Sequence, residues 1–327
     1  MEYLFNYGLF AAKLITVVAI ITIPVFIALV LLQSRRRHLA EAPIEIRKLN
    51  DKLLETSLAL ESVLMQPKEF KKRIKQVKKD NKARLESADT RTRIFVCDFT
   101  GDIRANAVSA LREEITAILS VAAEEDEVAV ILESSGGTVH GYGLASSQLR
   151  RIRDKGLRLT VIVDKVAASG GYMMACVADE IIAAPFAIIG SIGVIAQLPN
   201  FSRLLKKHDI DFEQITAGKY KRTLTLFGEN TDEDREKYRE EIEDAHALFK
   251  EFIAAQRPEL DLERVATGEH WFGTRALELG LIDRISTSDD YLCAKAAEVD
   301  VFQVRAERKK SVLERIFGQH SGLFSVI

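Results

Sequence analysis

LTVIVDKVAASGGYMMAC, residues 159–176, passes from an unbroken apolar run, through a turn of alanine, serine and glycine, into a second apolar run. Four of its first five residues are β-branched, which suits a strand buried on both faces. Gly170 and Gly171 permit a sharp turn, and the residues after them read as the start of a helix. Strand, turn and helix form the repeating unit of an α/β sheet. The same alternation extends outward from this stretch. IFVCDF at 94–99 and VAVIL at 128–132 read as strands, and 107–123 and 140–155 as helices. Residues 181–196 are apolar again, but Pro185, Gly190 and Gly193 interrupt them, so core strands fit better than a membrane span. Residues 231–257 read as one long charged helix. The fold class expected is α/β, a sheet covered by helices.

Composition agrees with one large or two ordinary globular domains: 327 residues, 47% hydrophobic and 29% charged. The net charge of −2 hides an uneven distribution, because residues 35–84 hold 15 Lys/Arg against 7 Asp/Glu. A basic neck on a mildly acidic body suits anionic lipid better than nucleic acid. Cys97, Cys176 and Cys293 form no CxxC or Cys/His pattern, and an odd count argues against a disulfide framework. With no HExxH either, a zinc site is not expected.

Residues 14–32, LITVVAIITIPVFIALVLL, carry no charge. As a helix rising about 1.5 Å per residue they span roughly 28 Å, close to the ~30 Å core of a bilayer. Pro24 is tolerated in a membrane helix. A secretory signal has a shorter apolar core, about 7–15 residues. Arg35, Arg36 and Arg37 also separate this run from Ala40-Glu41-Ala42, the small-residue pattern that imitates a cleavage site. An uncleaved, single-pass anchor is expected. The cations after the run outnumber Lys13 and the terminal amine before it, which favours a cytoplasmic body. The organisation expected is an anchor at 1–34, a charged helical neck at 35–92, a main domain at 93–300 and a tail at 301–327.

Three glycine turns follow strands: ESSGG at 133–137, AASGG at 167–171 and GSIGV at 190–194. Ligand-binding loops of open α/β sheets lie at such carboxyl ends of strands. At a helix start, the Gly170 amide lacks an intrahelical acceptor and is free to meet negative charge. Gly136, without a Cβ to block approach, is a plausible second donor to an oxyanion. Ser169 then reads either as a nucleophile or as a small residue packing a helix tightly on a strand. A nucleophilic serine needs a base. No GxSxG or SxxK is present. His140 follows a glycine turn, and TAGKYKRT at 216–223 offers Lys219 and Lys221. A lysine base requires a pKa brought from about 10.4 to near 7–8, as burial away from carboxylates achieves. Both candidates also read as ordinary solvated loop residues.

Taken in order, ESSGG, AASGGYMMAC, GSIGV, AGKYKRT and GEHWFGTRALELGLID (268–283) resemble the signal-peptide peptidase A family of membrane serine proteases. The anchor, the neck and VCDFTGDI at 96–103 resemble its SohB-type branch. The resemblance covers essentially the whole chain. It implies a crotonase/ClpP-like α/β fold with an N-terminal transmembrane helix, and a Ser-Lys dyad hydrolysing peptides without metal or cofactor. Matched to the family's motifs, Ser169 is the nucleophile, Lys221 the general base and Ser191 the hydroxyl that orients the lysine amine. Gly136 and Gly170 supply the oxyanion hole, and Lys219 falls off the motif. Ser135 stands where many members have proline, which implies a more mobile turn. The resemblance also implies a homo-oligomeric ring, a peptide or protein substrate, contact with membrane lipid, and the bacterial inner membrane as location. A noncatalytic membrane scaffold and a crotonase-type acyl-CoA enzyme are the rival readings; intact Ser169, Ser191 and Lys221 weigh against the first, the anchor against the second.

Overall fold

Parallel strands covered on both faces need apolar side chains on both faces, and the centre of the sheet meets that requirement three times. The computed structural model describes residues 44–86 and 92–306, together with Lys13, so the apolar run at 14–32 lies outside the described residues. The chain divides into two compact units, 1–45 and 46–327, and nearly all described residues belong to the second. There, β2 (Arg93–Thr100), β3 (Glu127–Glu133) and β4 (Arg158–Val163) pair in parallel, with Val96 beside Ala129 and Ala129 beside Thr160. Val96, Val130, Leu132 and Val161 are fully buried.

The remaining strands are β1 (Ile44–Lys48), β5 (Val166–Ala168), β6 (Glu180–Ala183), β7 (Ile188–Gly190), β8 (His270–Phe272), β9 (Arg284–Ile285) and β10 (Asp300–Ala306). The main sheet has the order β1–β10–β2–β3–β4–β6–β9, and β5–β7–β8 make a second, small sheet. The apolar stretch at 181–196 therefore divides between two sheets, as β6 and β7. Among the described residues no helix is long and apolar enough to cross a membrane.

Helices cover the main sheet on both sides. Cys97 is buried on the side of α3 (Val108–Val121), near Glu114. Val96, its neighbour along β2, points the other way and packs with Tyr291 of α10 (Ser288–Glu298). Next to α3 lies α4 (Val139–Asp154), which buries Tyr142, Leu149 and Ile152. The short α5 (Gly170–Ala175) packs on α4 and is buried throughout. The charged helix expected at 231–257 is α7 (Asp232–Gln256), started by a capping box between Thr231 and Asp234. Before it comes α6 (Ser202–Lys207); after it come α8 (Leu262–Val265) and α9 (Gly273–Glu278).

Two boundaries differ from the sequence expectation. The neck begins inside the body: at the start of α1 (Leu49–Leu64), Asn50 donates to Ala296 O (2.9 Å) and Val299 O (2.8 Å) and accepts from Val301 N at 2.8 Å. The sheet also runs past residue 300, since β10 pairs with β2 and Arg305 forks onto Asp98. Only after its first turn does α1 leave the body, exposing Leu60, Val63 and Leu64 ahead of the basic helix α2 (Pro67–Glu86).

Asp283 ties α7 to the sheet. Its carboxylate accepts from Arg257 Nη1 (2.9 Å) and Nη2 (2.7 Å), and from Ile181 N at 2.7 Å. Burial opposes its charge, but the Arg257 fork and the amide win and hold its pKa below the usual carboxylate range. A depressed folded pKa stabilises above the unfolded value near 4, and that stability is lost as pH falls through the folded pKa. Asp283→Asn is expected to cost about 1–2 kcal/mol at pH 7, a modest figure because the carboxylate keeps partial solvent contact. Urea unfolding at pH 7 and at pH 3 checks this. The gap between parent and variant should shrink at pH 3, and an unchanged gap refutes the assignment.

Candidate active site

Backbone bonds gather the three glycine turns around Ser169. Just past β3, the Ser134 amide donates to Val166 O at 2.8 Å and its carbonyl accepts from Ala168 N at 3.0 Å. The Ser169 amide donates to Gly190 O at 2.7 Å. Strand pairing thus brings ESSGG, AASGG and GSIGV to one place, which their spacing along the chain does not reveal.

Ser169 joins β5 to α5 with φ 53° and ψ −117°. A non-glycine residue held there costs on the order of 1–3 kcal/mol and persists only where its surroundings impose it. Its side chain is half-buried, and its hydroxyl has no hydrogen-bond partner among the described residues. Ser191 is also half-buried at positive φ, 50°, with its amide donating to Glu269 O at 2.6 Å and its hydroxyl unengaged among the described residues. Gly136 is buried at φ 91°. A Cβ there would stand 2.8 Å from Ala168 O, Gly170 N and Ser169 Cβ, so only glycine lets this turn approach the serine. The Gly136 amide is itself engaged, donating to Ser134 Oγ at 3.0 Å. Gly170, first in α5, has no acceptor within its helix.

No hydrogen bond joins Lys221 to this cluster among the described residues. The lysine is exposed, and it lines a cavity of about 460 Å³ with Leu198, Phe212, Ile215, Arg222 and Phe227. Neither serine nor either glycine of the cluster lines that cavity. Four of the five expected site residues therefore meet, while Lys221 is exposed and lines a cavity that none of the four lines. The two lysines of the loop are nevertheless distinguished. Lys219 pairs with Glu233 at 2.8 Å and lies 4.9 Å from the Tyr220 ring centroid, and the hydrogen bond to Glu233 raises its pKa. That ammonium is held charged and is unsuited to take a proton. Among the described residues no carboxylate pairs with Lys221.

His140, in the first turn of α4, is exposed, and so is His270 on β8. Burial raises the pKa of the Cys97 and Cys176 thiols, which suits packing and not nucleophilic work. Among the described residues no group of three His, Cys, Asp or Glu is placed to hold a metal ion.

Sequence reasoning missed one participant. Tyr142 of α4 is fully buried, and a Cβ on Gly170 would collide with its ring. Its hydroxyl lies 2.5 Å from Ser134 Oγ. Helical periodicity could place Tyr142 on the inner face of α4, but not against a particular glycine.

A protein from Haemophilus influenzae named "Probable protease SohB" is 47% identical over 332 residues, 98% of this chain and 93% of that protein. The descriptions "Peptidase family S49 N-terminal" and "Peptidase family S49" match residues 2–149 and 151–301. The chain belongs to peptidase family S49. A second "Probable protease SohB", from Buchnera aphidicola subsp. Acyrthosiphon pisum, is 52% identical over 317 residues, 96% of this chain and 93% of that one. A solved structure of a membrane-bound stomatin-specific protease variant superposes with a TM-score of 0.43 at 15% identity, over 63% of this chain and 86% of that one. The S49 match and the two SohB relatives support a peptidase.

Proposed function

We propose that this S49 member is a membrane-anchored serine endopeptidase with a crotonase/ClpP-like site, in which Ser169 is the nucleophile and Lys221 the general base. The observation that carries the reading is Ser169 itself: a strained strand-to-helix junction holds it beside Gly136 and Gly170, with its hydroxyl unengaged among the described residues. Ser169 Oγ attacks the scissile carbonyl carbon while neutral Lys221 Nζ takes the hydroxyl proton. The Gly170 amide receives the oxyanion, with the Gly136 amide as a second, three-centre donor shared with Ser134. Protonated Lys221 then passes its proton to the leaving amine, and the acyl-serine is hydrolysed by water that Lys221 deprotonates. Ser191 orients the lysine amine.

The exposed position of Lys221 supports a dyad closed between protomers. The segment that carries it also exposes Ile195, Leu198, Phe201, Leu204, Ile210 and Ile215. Apolar surface on that scale marks an association face. A neighbouring copy seated there would cover the lysine, remove it from water and present it to Ser169. Cleavage of an unfolded or apolar peptide by the detergent-solubilised full chain tests the reading. A parent that cleaves nothing would favour the noncatalytic scaffold instead.

The anchor at 14–32 and the neck complete the proposal. In α2, Lys68, Lys72, Lys75 and Lys79 form one exposed ridge opposite Phe70, Ile74 and Val77. Such a basic amphipathic helix, close after an anchor, suits anionic lipid at about 1 kcal/mol per cation. With the body on the cytoplasmic side of a bacterial inner membrane, a C-terminal phosphatase fusion should be inactive and a fluorescent-protein fusion bright. The opposite pattern would reverse the orientation.

A further inference from the structure

We propose that Tyr142 and Ser134 are positioning residues that set both oxyanion donors, a proposal resting on the peptidase reading above. The direction of the hydrogen bonds follows from simple counting. Tyr142 has a single hydroxyl proton, and it goes to Asp102 O at 2.9 Å, because a carbonyl only accepts. In the 2.5 Å contact between the two hydroxyls, Ser134 must therefore be the donor. Its oxygen is left to accept from the Gly136 amide at 3.0 Å. The result is a one-way chain from the Gly136 amide, through the Ser134 and Tyr142 hydroxyls, to the Asp102 carbonyl. Bonds in such a chain polarise and strengthen one another, and burial of both hydroxyl residues keeps water from competing.

The chain touches both halves of the oxyanion site. Through its hydroxyl, Tyr142 fixes the orientation of the Gly136 peptide. Through its ring, it bears on Gly170, where no Cβ fits. One rigid side chain thus spaces the two glycines. The chain ends in the loop whose Ile103 carbonyl accepts from Thr138 N at 2.9 Å, so the ESSGG turn is held at both ends. This restraint also bears on Ser135. A turn without the expected proline is held here by hydrogen bonds instead of by a ring.

Tyr142→Phe and Ser134→Ala, each removing one hydroxyl, test the proposal in the full chain. Loss of an oxyanion donor costs about 100- to 1000-fold in kcat, and loss of its positioning should cost less. Ser134→Ala is expected to lower kcat about 10- to 100-fold, with KM within about twofold of the parent, and Tyr142→Phe to lower it by a similar or smaller factor. The double variant should be no worse than Ser134→Ala alone, because both act through one chain. Losses that multiply, an unchanged kcat, or a change confined to KM would overturn the proposal. Hydrogen exchange at the Gly136 amide gives a readout independent of catalysis. Slow exchange in the parent and faster exchange in both variants upholds the chain; fast exchange in the parent refutes it. If the parent cleaves nothing yet its Gly136 amide is protected, the peptidase reading and the catalytic role fail together, and the hydrogen-bond chain survives as structure.

Discussion

Ser169→Ala is expected to lower peptide cleavage about ten-thousand- to million-fold while leaving the fold intact. In the proposed mechanism that hydroxyl supplies the atom that forms the acyl bond, so the loss is expected to fall on kcat. Substrate binding uses other groups and should persist. The Ser169 backbone is strained at φ 53°, and alanine meets the same strain without the hydroxyl, so thermal stability should move little. Peptide cleavage and thermal unfolding of parent and variant, measured side by side, decide the matter. A variant that still cleaves at a tenth of the parent rate would remove Ser169 from the chemistry.

Lys221→Ala is expected to lower cleavage about a hundred- to ten-thousand-fold, the contribution of a positioned general base. Lys219→Ala should do far less, because Lys219 is occupied by Glu233 and the Tyr220 ring. The sharper measurement mixes two inactive chains. Suppose that Ser169→Ala and Lys221→Ala chains are dissociated, mixed in equal amounts and reassembled as a ring. A site shared between neighbours then receives an intact serine from one chain and an intact lysine from the other in about one case in four. Recovery of about a quarter of the parent activity is expected. A mixture as inactive as its components would place the dyad within a single protomer.

How much of this was legible beforehand depended on the range of the interaction. Val128–Leu132 and Leu159–Val163 read as strands because burial on both faces demands an unbroken apolar run, a purely local signal. Ser169 at the start of α5 was equally legible, because the glycines that permit the turn are its immediate neighbours. The true start of the body was not. Asn50 reads as one more polar residue of a charged neck until its bonds to Ala296, Val299 and Val301, some 250 positions away, are seen. Tyr142 was invisible for the same reason, since a helical period shows an inward face and not what that face meets.

The central strands β2, β3 and β4 with their helices, the glycine turns and the candidate nucleophile were thus written in the amino-acid order alone, because each follows from short-range sterics and a repeating apolar pattern. Tertiary structure decided which turns face one another, that the Gly136 amide is held by Ser134, and that Lys221 lies exposed in the isolated protomer. Those facts depend on parallel pairing of distant strands and on burial in three dimensions, and neither is encoded in neighbouring residues.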